Sequence, residues 1–127
     1  MNKFALRRLW EIRGKVPFSA LEIDGTCQFA EFCVQVQRDG NLKKQLATVM
    51  SRMDQVANMQ LLPVHKFRDI TPGKDVVKEF EIKTPDLRIY LIKEEGHVIV
   101  LGGKKSTQTD DIKKFRSIKH RYLQSKK

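Results

Sequence analysis

The sequence predicts an α+β fold in which an N-terminal helical hairpin packs on an antiparallel β-sheet and a short basic helix ends the chain. One observation is a pair of segments, 27–38 and 42–57, with apolar residues at helical spacing and a short connection between them. A second is a run of four short extended segments whose connections are too short for crossovers. The third is the length of 127 residues, which suits one domain.

Extended structure is predicted before the hairpin. Apolar side chains recur at alternate positions over 3–13, which indicates a first strand, and Pro17 ends it. Leu21 and Ile23 indicate a second extended piece. The Asp-Gly-Thr turn at 24–26 ends with a threonine that can cap the following helix.

The two helices of the hairpin each have one apolar face. The first helix, 27–38, ends at Asp39-Gly40, and Asn41 can cap the second helix, 42–57. The apolar stripe of the first helix consists of Phe29, Phe32, Cys33 and Val36. The apolar face of the second helix consists of Leu42, Leu46, Val49, Met50, Met53, Val56 and Ala57. Both faces are expected to pack on the sheet.

The four extended segments predict an antiparallel meander. They are Val64–Ile70, Val76–Lys83, Leu87–Ile92 and His97–Leu101. Turn residues separate them at 71–75, 84–86 and 93–96. Connections of this length join antiparallel neighbours, so the order of the strands in the sheet should follow their order in the chain.

Tight turns fix the register of neighbouring strands, so they predict which residues face one another. Ile92 is expected opposite His97. Arg88 is expected opposite Leu101 on one side and Ile82 on the other. Arg88 interrupts an apolar strand in the middle of the predicted sheet. A basic residue in that position needs an explanation.

The same count across the sheet places His65 beside Glu81. Arg88, Lys104 and Lys105 should then gather with these two residues toward one end of the sheet. Their combination of basic, imidazole and carboxylate groups makes this end the candidate site.

Two explanations for Arg88 follow from the residue types near it. One is a structural ion pair with Glu81 or Asp86, and the other is a guanidinium group that binds phosphate. The Gly-Gly-Lys-Lys segment at 102–105 lacks the glycine spacing of a P-loop. The chain also shows no order of residues typical of a Ser–His–Asp triad and no nucleotide-binding fingerprint.

A short basic helix is predicted to end the chain. Thr109 can cap it, and Asp110 and Asp111 in its first turn suit the helix dipole. Its apolar side consists of Ile112, Phe115, Ile118 and Tyr122. The last fifteen residues contain seven Lys or Arg and no acidic residue.

The charge of the chain favours a polyanionic partner. There are 25 Lys and Arg against 15 Asp and Glu, so the net charge is +10 at pH 7. Residues 1–63 contribute +3 and residues 64–127 contribute +7, which makes the second half the expected binding half. RNA, DNA, an acidic protein and an anionic membrane surface all fit a field of this sign.

The cysteines and the hydropathy predict a cytoplasmic protein. Cys27 and Cys33 lie six positions apart in a predicted helix, where they point to different sides and are not expected to form a disulfide. No metal-ligand spacing connects them with the histidines. No apolar stretch approaches the ~20 residues of a membrane helix. Charged residues interrupt the apolar residues of the N-terminal segment, so it is not expected to be a secretion signal.

Four segments of the second half carry a family resemblance: Lys78–Ile82, Leu87–Tyr90, His97–Leu101 and Lys104–Gln108. In their order and spacing, followed by a basic helix, they resemble the RelE/ParE toxin superfamily, most closely the subgroup near HigB and the phage-derived Gp49-like proteins. The resemblance covers about residues 41–123. It implies a RelE-like domain over the whole chain, 1–127.

The resemblance implies the toxin of a type II toxin–antitoxin system that inhibits translation as a ribosome-associated mRNA endoribonuclease, with no cofactor. In this chemistry the 2′-hydroxyl attacks the adjacent phosphate, which requires a proton acceptor, cations at the phosphate and a proton donor. By position, Arg88 matches the arginine that holds the phosphate. Lys104 and Lys105 match the basic residues after the last core strand, and clustered lysines can accept a proton because like charges lower their pKa.

The chain departs from RelE at several positions. Glu79 and Glu81 fall where RelE has lysines, and Ile112 falls near its catalytic tyrosine. His65 is the residue expected to replace the missing proton acceptor. The alternatives are a ParE-like gyrase inhibitor and a non-catalytic basic module that binds RNA or a protein partner.

The resemblance also implies the binding partners. An acidic or helix-turn-helix antitoxin is expected to cover part of the basic surface, and RNA on the ribosome is the expected target, with no membrane involved. The residues expected to contact RNA are Lys66, Gln108, Lys113 and Arg116.

Overall fold

Six strands and three α-helices are present in residues 2–127, the part of the chain that the computed structural model describes. The strands are β1 (Phe4–Arg8), β2 (Phe18–Ile23), β3 (Phe67–Asp69), β4 (Glu79–Lys83), β5 (Leu87–Lys93) and β6 (His97–Lys104). The helices are α1 (Gln28–Gln37), α2 (Lys43–Ala57) and α3 (Gln108–Ser125), and a short 3₁₀ turn, Lys105–Thr107, precedes α3.

All six strands form one mixed sheet. Their order is β1-β2-β6-β5-β4-β3, and every neighbouring pair is antiparallel except β2 and β6, which run parallel. Helices α1 and α2 cover one face with a core that includes Phe18, Phe32 and Met53. Helix α3 covers the other face with a second core that includes Tyr90 and Phe115.

The predicted fold class is wrong in its architecture. The helical hairpin is not N-terminal, because β1 and β2 precede it and belong to the sheet. The sheet is mixed and not antiparallel, because β2 adds to it beside β6. Local turn lengths predict only neighbours along the chain, whereas this parallel pair joins segments separated by both helices and three strands.

The final helix is also longer than the short one predicted. It has 18 residues, which corresponds to about 27 Å. The N-cap of α3 is Thr107 and not Thr109. The predicted positions of α1 and α2 agree with the structure to within one or two residues, but their N-caps are Cys27 and Leu42, and neither makes a side-chain cap hydrogen bond. Packing of the apolar faces therefore defines these helices more than capping does.

The predicted strand register is wrong between β5 and β6. His97 pairs with Lys93, one residue beyond the expected Ile92, because the turn between the strands contains only 94–96. A β-bulge near Tyr90 shifts the register by one more residue. Arg88 consequently lies opposite Gly103 and not opposite Leu101.

The register is also different on the other side of β5. Arg88 pairs with Lys83, one residue beyond the expected Ile82. The residue beside Glu81 is Arg68 and not His65, because the pairing of Phe67 with Ile82 carries His65 past the end of β4. One-residue shifts exchange the faces of a strand, so they decide which side chains meet.

Alternation along β5 assigns its side chains to the two faces of the sheet. Leu87, Ile89 and Leu91 belong to the core under α1 and α2. Tyr90 and Ile92 belong to the core under α3, so Arg88 lies on the α3 face as well. This face of the sheet contains the polar residues described below.

Two adjacent glycines allow both helical layers to approach β6. A Cβ atom on Gly102 would lie 2.5 Å from the ring of Phe32 in α1. A Cβ atom on Gly103 would lie 2.1 Å from the carboxylate of Asp111 in α3. Any larger residue would displace one of these side chains, so the glycine pair is required by packing on both faces.

Candidate functional site

Three basic residues follow one another across neighbouring strands at one end of the sheet. Lys83 on β4 pairs with Arg88 on β5. The backbone amide of Lys83 donates to the carbonyl oxygen of Lys66 at 2.9 Å, which extends the ladder beyond β3. Within residues 2–127, none of these three side chains, here called the cationic row, forms an ion pair with a carboxylate.

The turn before β5 holds the side chain of Arg88. This residue is only 5% exposed, and its Nη1 donates to the carbonyl oxygens of Thr84 at 2.5 Å and Leu87 at 2.8 Å. Asp86, a candidate ion-pair partner, instead accepts a hydrogen bond from Gln45 at 2.7 Å. Arg88 therefore keeps a buried positive charge that no carboxylate of the described residues neutralises by direct contact, and a weakly screened charge of this kind attracts anions.

A buried acid and a buried phenol lie in the next row of the sheet. Glu81 pairs with Tyr90, and both residues are fully buried. Oε1 of Glu81 and the hydroxyl of Tyr90 have no hydrogen-bond partner, and neither has Nε of Arg88. Protein interiors rarely leave such atoms unpaired, so the three residues, here called the polar cluster, need an explanation other than stability.

The surroundings of Tyr90 keep its hydroxyl protonated. Burial, followed by the negative charges of Glu81 and Asp111, holds the pKa of Tyr90 well above its ordinary value of 10, while the charge of Arg88 acts in the opposite direction. The phenol is therefore a hydrogen-bond donor throughout the physiological pH range. No acceptor within residues 2–127 uses it.

A groove of about 380 Å³ between β3 and the start of α3 reaches the polar cluster at Glu81. Arg68, which is exposed, and Arg116 line this groove. Gln108 also lines it and donates from Nε2 to Oε2 of Glu81 at 2.7 Å. Nε of Arg116 donates to Oε1 of Glu79 at 2.9 Å. The groove thus combines two guanidinium groups, of which that of Arg116 is paired with Glu79, with the carboxylates of Asp69 and Glu81.

The structure separates the predicted catalytic residues onto two faces. Lys104 pairs with Leu87 and lies on the α1 and α2 face, in a groove with Asp39. Arg88 lies at the same end of the sheet but on the α3 face. Lys105 follows in the exposed 3₁₀ turn, where its backbone amide donates to the carbonyl oxygen of Asp86 at 2.8 Å. The side chains of Arg88 and Lys104 do not converge, because successive residues of a strand point to opposite faces.

The remaining predicted residues are distributed around the α3 face. Lys66 belongs to the cationic row, and Gln108 and Arg116 line the groove. Lys113 is exposed on α3. His65 is exposed in the turn before β3, and no side-chain hydrogen bond in residues 2–127 connects it with the polar cluster.

Sequence reasoning did not identify Lys83 and Arg68 as site residues. The predicted register placed Ile82 opposite Arg88 and His65 beside Glu81, which are the positions that Lys83 and Arg68 occupy. The sequence did contain a signal for Lys83. This lysine ends its strand immediately before the 84–86 turn, and a residue in that position faces the start of the next strand.

Comparison with known proteins found no match to a family model, to a curated protein or to a solved structure. In residues 2–127, no helix has the length and apolar character needed to cross a membrane. The same residues contain no group of three or more His, Cys, Asp or Glu arranged to hold a metal ion.

Proposed function

We propose that the protein binds single-stranded RNA on the α3 face of its sheet and cleaves it, acting in the bacterial cytoplasm as a toxin that stops translation. The cationic row carries this proposal: Lys66, Lys83 and Arg88 form a line of basic residues across neighbouring strands, and no carboxylate pairs with them in residues 2–127. A line of basic side chains without carboxylate partners attracts a sugar–phosphate backbone.

The electrostatics of Arg88 favour a phosphate over a neutral ligand. A buried ion without a partner is unfavourable in the free protein, and an approaching phosphate removes that penalty. The carbonyl oxygens of Thr84 and Leu87 orient the guanidinium group before any ligand arrives. Because the side chain is already ordered, little of the free energy of phosphate binding is lost in ordering it.

The proposed cleavage is an internal transesterification of RNA. The 2′-oxygen bonds to the adjacent phosphorus while the bond from phosphorus to the 5′-oxygen breaks. Arg88 and Lys83 stabilise the negative charge that accumulates on the phosphoryl oxygens. Arg68 at the groove holds a neighbouring phosphate, because a guanidinium group can donate two parallel hydrogen bonds to one phosphate.

Expression in a bacterial host tests the proposal. The wild-type chain is expected to stop protein synthesis and to leave cleaved messages, and Arg88→Ala is expected to relieve the arrest by at least tenfold in surviving colonies. Lys93→Ala is the matched control, because Lys93 is an exposed cation at the opposite end of the same strand. Circular dichroism of both purified variants checks that they fold.

Other outcomes would contradict the proposal in distinct ways. A folded Arg88→Ala variant that is as toxic as the wild type would remove Arg88 from the site. Arrest with intact messages and cleaved plasmid DNA would identify gyrase as the target. RNA binding with no cleavage, either by the purified wild type or of messages on ribosomes in the expressing cells, would leave a non-catalytic RNA-binding module.

We also propose that an acidic antitoxin neutralises the protein. An apolar groove of about 530 Å³ lies between β1, α1 and α2, with Phe29 and Met50 in its lining and Arg7, Lys43 and Glu11 among its polar residues. An amphipathic acidic segment, such as one following a helix-turn-helix domain, fits this combination and the net charge of +10. Co-expression of the protein encoded next to this chain should then restore growth, and Met50→Asp should abolish the rescue.

A further inference from the structure

An exposed tryptophan follows the first strand. Trp10 is the only tryptophan of the chain and is 72% exposed, although tryptophan is on average a well-buried residue. Leu9 and Ile12, on either side of it, are buried in the core under α1 and α2. These two residues anchor the segment, and the indole ring projects from it toward solvent.

An arginine of β1 lies against this ring. The guanidinium group of Arg8 is placed over the indole of Trp10, with Cζ 4.5 Å from the ring centroid. Arg8 is itself exposed and makes no ion pair with a carboxylate of residues 2–127. A cation–π contact that is this exposed adds little to the stability of the fold. The two planar groups, here called the Trp10 platform, offer a surface on which a further ring can stack.

The segment that carries the Trp10 platform is fastened to its surroundings at both ends. The backbone amide of Leu9 donates to the carbonyl oxygen of Phe18 at 2.9 Å, and that of Val16 donates to Ala57 in α2 at 2.9 Å. Gly14 also lies close to α2, since a Cβ atom there would be 2.6 Å from the backbone of Ala57. The platform is therefore formed before a ligand binds, which lowers the entropy cost of stacking.

The charge around the Trp10 platform favours a ring that belongs to a polyanion. Residues 3–15 contain five basic side chains and a single acidic one, Glu11. Nucleobases stack on aromatic rings and on guanidinium planes, and each base in a single strand is followed by a phosphate that basic residues attract. A neutral apolar ligand would use the indole ring and leave the basic side chains without a role.

The Trp10 platform and the cationic row share one face of the sheet. Leu6 pairs with Leu21 of the core under α3, so Arg8, two residues further along β1, has its side chain on the α3 face as well. Pairing through β2 and β6 places Arg8 in the row of Ile92, four residues beyond Arg88 and three strands across. This offset corresponds to about 20 Å.

We propose that Arg8 and Trp10 form a second RNA contact, at which an unpaired base stacks on the indole ring while the cationic row binds phosphates of the same strand. This inference rests on the proposed function, because the ligand is the same single-stranded RNA. A strand of several nucleotides spans the distance between the two contacts. The platform contributes affinity and takes no part in the cleavage, since it is remote from the phosphate at Arg88.

The fluorescence of Trp10 tests the stacking directly, because the chain contains no other tryptophan. The purified full chain is titrated with a 2′-O-methyl oligoadenylate of about 12 nucleotides, which the proposed transesterification cannot cleave. An abasic oligomer of the same length and charge is the matched ligand. The oligoadenylate is expected to quench the emission of Trp10, whereas the abasic oligomer binds through its phosphates and leaves the emission unchanged.

Substitutions separate stacking from charge, with binding measured by the anisotropy of labelled oligomers. Trp10→Ala should raise the dissociation constant for the oligoadenylate about tenfold, and that for the abasic oligomer by less than about twofold. Trp10→Phe keeps an aromatic ring and should stay within about threefold of the wild type. Leu61→Ala removes another exposed apolar side chain and is the control, which should bind both oligomers as the wild type does.

The outcomes distinguish this inference from the proposed function. If Trp10→Ala binds the oligoadenylate as tightly as the wild type, and the wild type still cleaves messages, only the platform is overturned. Equal effects of the two oligomers on the emission of Trp10 would mean that no base stacks there. A wild type that binds neither oligomer overturns the platform and the proposed RNA binding together. A blue shift of the emission with anionic vesicles, and no response to the oligoadenylate, would assign the ring to a lipid surface instead.

Discussion

The residues of the α3 face show that identical side chains can have different roles a few ångströms apart. Glu79 is bound by two basic groups, and Glu81 keeps a free oxygen. Arg88 is buried without a carboxylate, whereas Lys119 on α3 is buried with two. Partner atoms, and not residue type or burial alone, separate the structural charges from those available to a ligand.

A buried histidine gives the stability of the fold a pH dependence. Burial, followed by the charge of Lys93, lowers the pKa of His97 to about 4 from its ordinary value of 6.5. The imidazole packs against Phe18 with a ring-centroid distance of 4.9 Å. The unfolded state therefore binds a proton more readily, so stability is lost as the pH falls from 6.5 toward 4.

Replacement of His97 by leucine should remove this dependence. Between pH 7.5 and pH 4.5, the wild type is expected to lose about 2 kcal/mol more of its unfolding free energy than His97→Leu loses, measured by urea denaturation. The carboxylates titrate in both proteins and cancel in the comparison. Equal losses in the two proteins would show that the pKa of His97 is the same in the folded and the unfolded states.

At the scale of elements, α3 is fastened to the sheet by ion pairs as well as by its apolar side. Nζ of Lys119 donates to Glu79 at 2.8 Å, to Asp75 at 3.1 Å and to the carbonyl oxygen of Val77 at 2.8 Å. These bonds join the helix to β4 and to the loop before it. Because the groove lies between β3 and α3, they also maintain the walls of the candidate site.

Removal of the Lys119 charge should therefore loosen α3. Lys119→Met leaves the buried carboxylate of Glu79 with one partner instead of two, and the unfolding free energy should fall by about 3–5 kcal/mol. Lys113→Met, an exposed lysine of the same helix, should change it by no more than about 0.5 kcal/mol. If both variants unfold at the same urea concentration, apolar packing alone holds the helix.

At the scale of the whole molecule, the net charge of +10 makes RNA binding dependent on salt. If four phosphates are contacted, a fourfold rise in salt from 50 to 200 mM should weaken binding by about 50-fold. Fluorescence anisotropy with a labelled RNA measures the slope of the logarithm of the binding constant against the logarithm of the salt concentration. Lys83→Ala should lower the magnitude of this slope by about 0.7. A slope near zero would mean that binding does not depend on phosphate contacts.

Local patterns were sufficient for part of the fold. Helices α1 and α2 were predicted within one or two residues, because their apolar stripes are a property of residues three or four positions apart. The extended character of β2, β4, β5 and β6 was also predicted. The association of β2 with β6 was not, because the residues of a parallel pair are not linked by a turn.

The candidate site required the register of the sheet. Arg88 was predicted as a site residue because a basic residue interrupts an apolar strand. Its neighbours were not predicted correctly, because one residue in a turn and one bulge moved Gly103 and Lys83 into the places expected for Leu101 and Ile82. Arg68 was missed for the same reason.

The amino-acid sequence by itself determined the positive charge of the chain and the larger share of that charge in its second half. It also determined the two amphipathic helices and the extended segments. Each of these depends on composition or on residues close together in the chain. Only the tertiary structure decided that Arg88 and Lys104 lie on opposite faces, that Glu79 is paired and that Glu81 keeps a free oxygen. Those features depend on strand register and on the docking of α3, and long-range packing sets both.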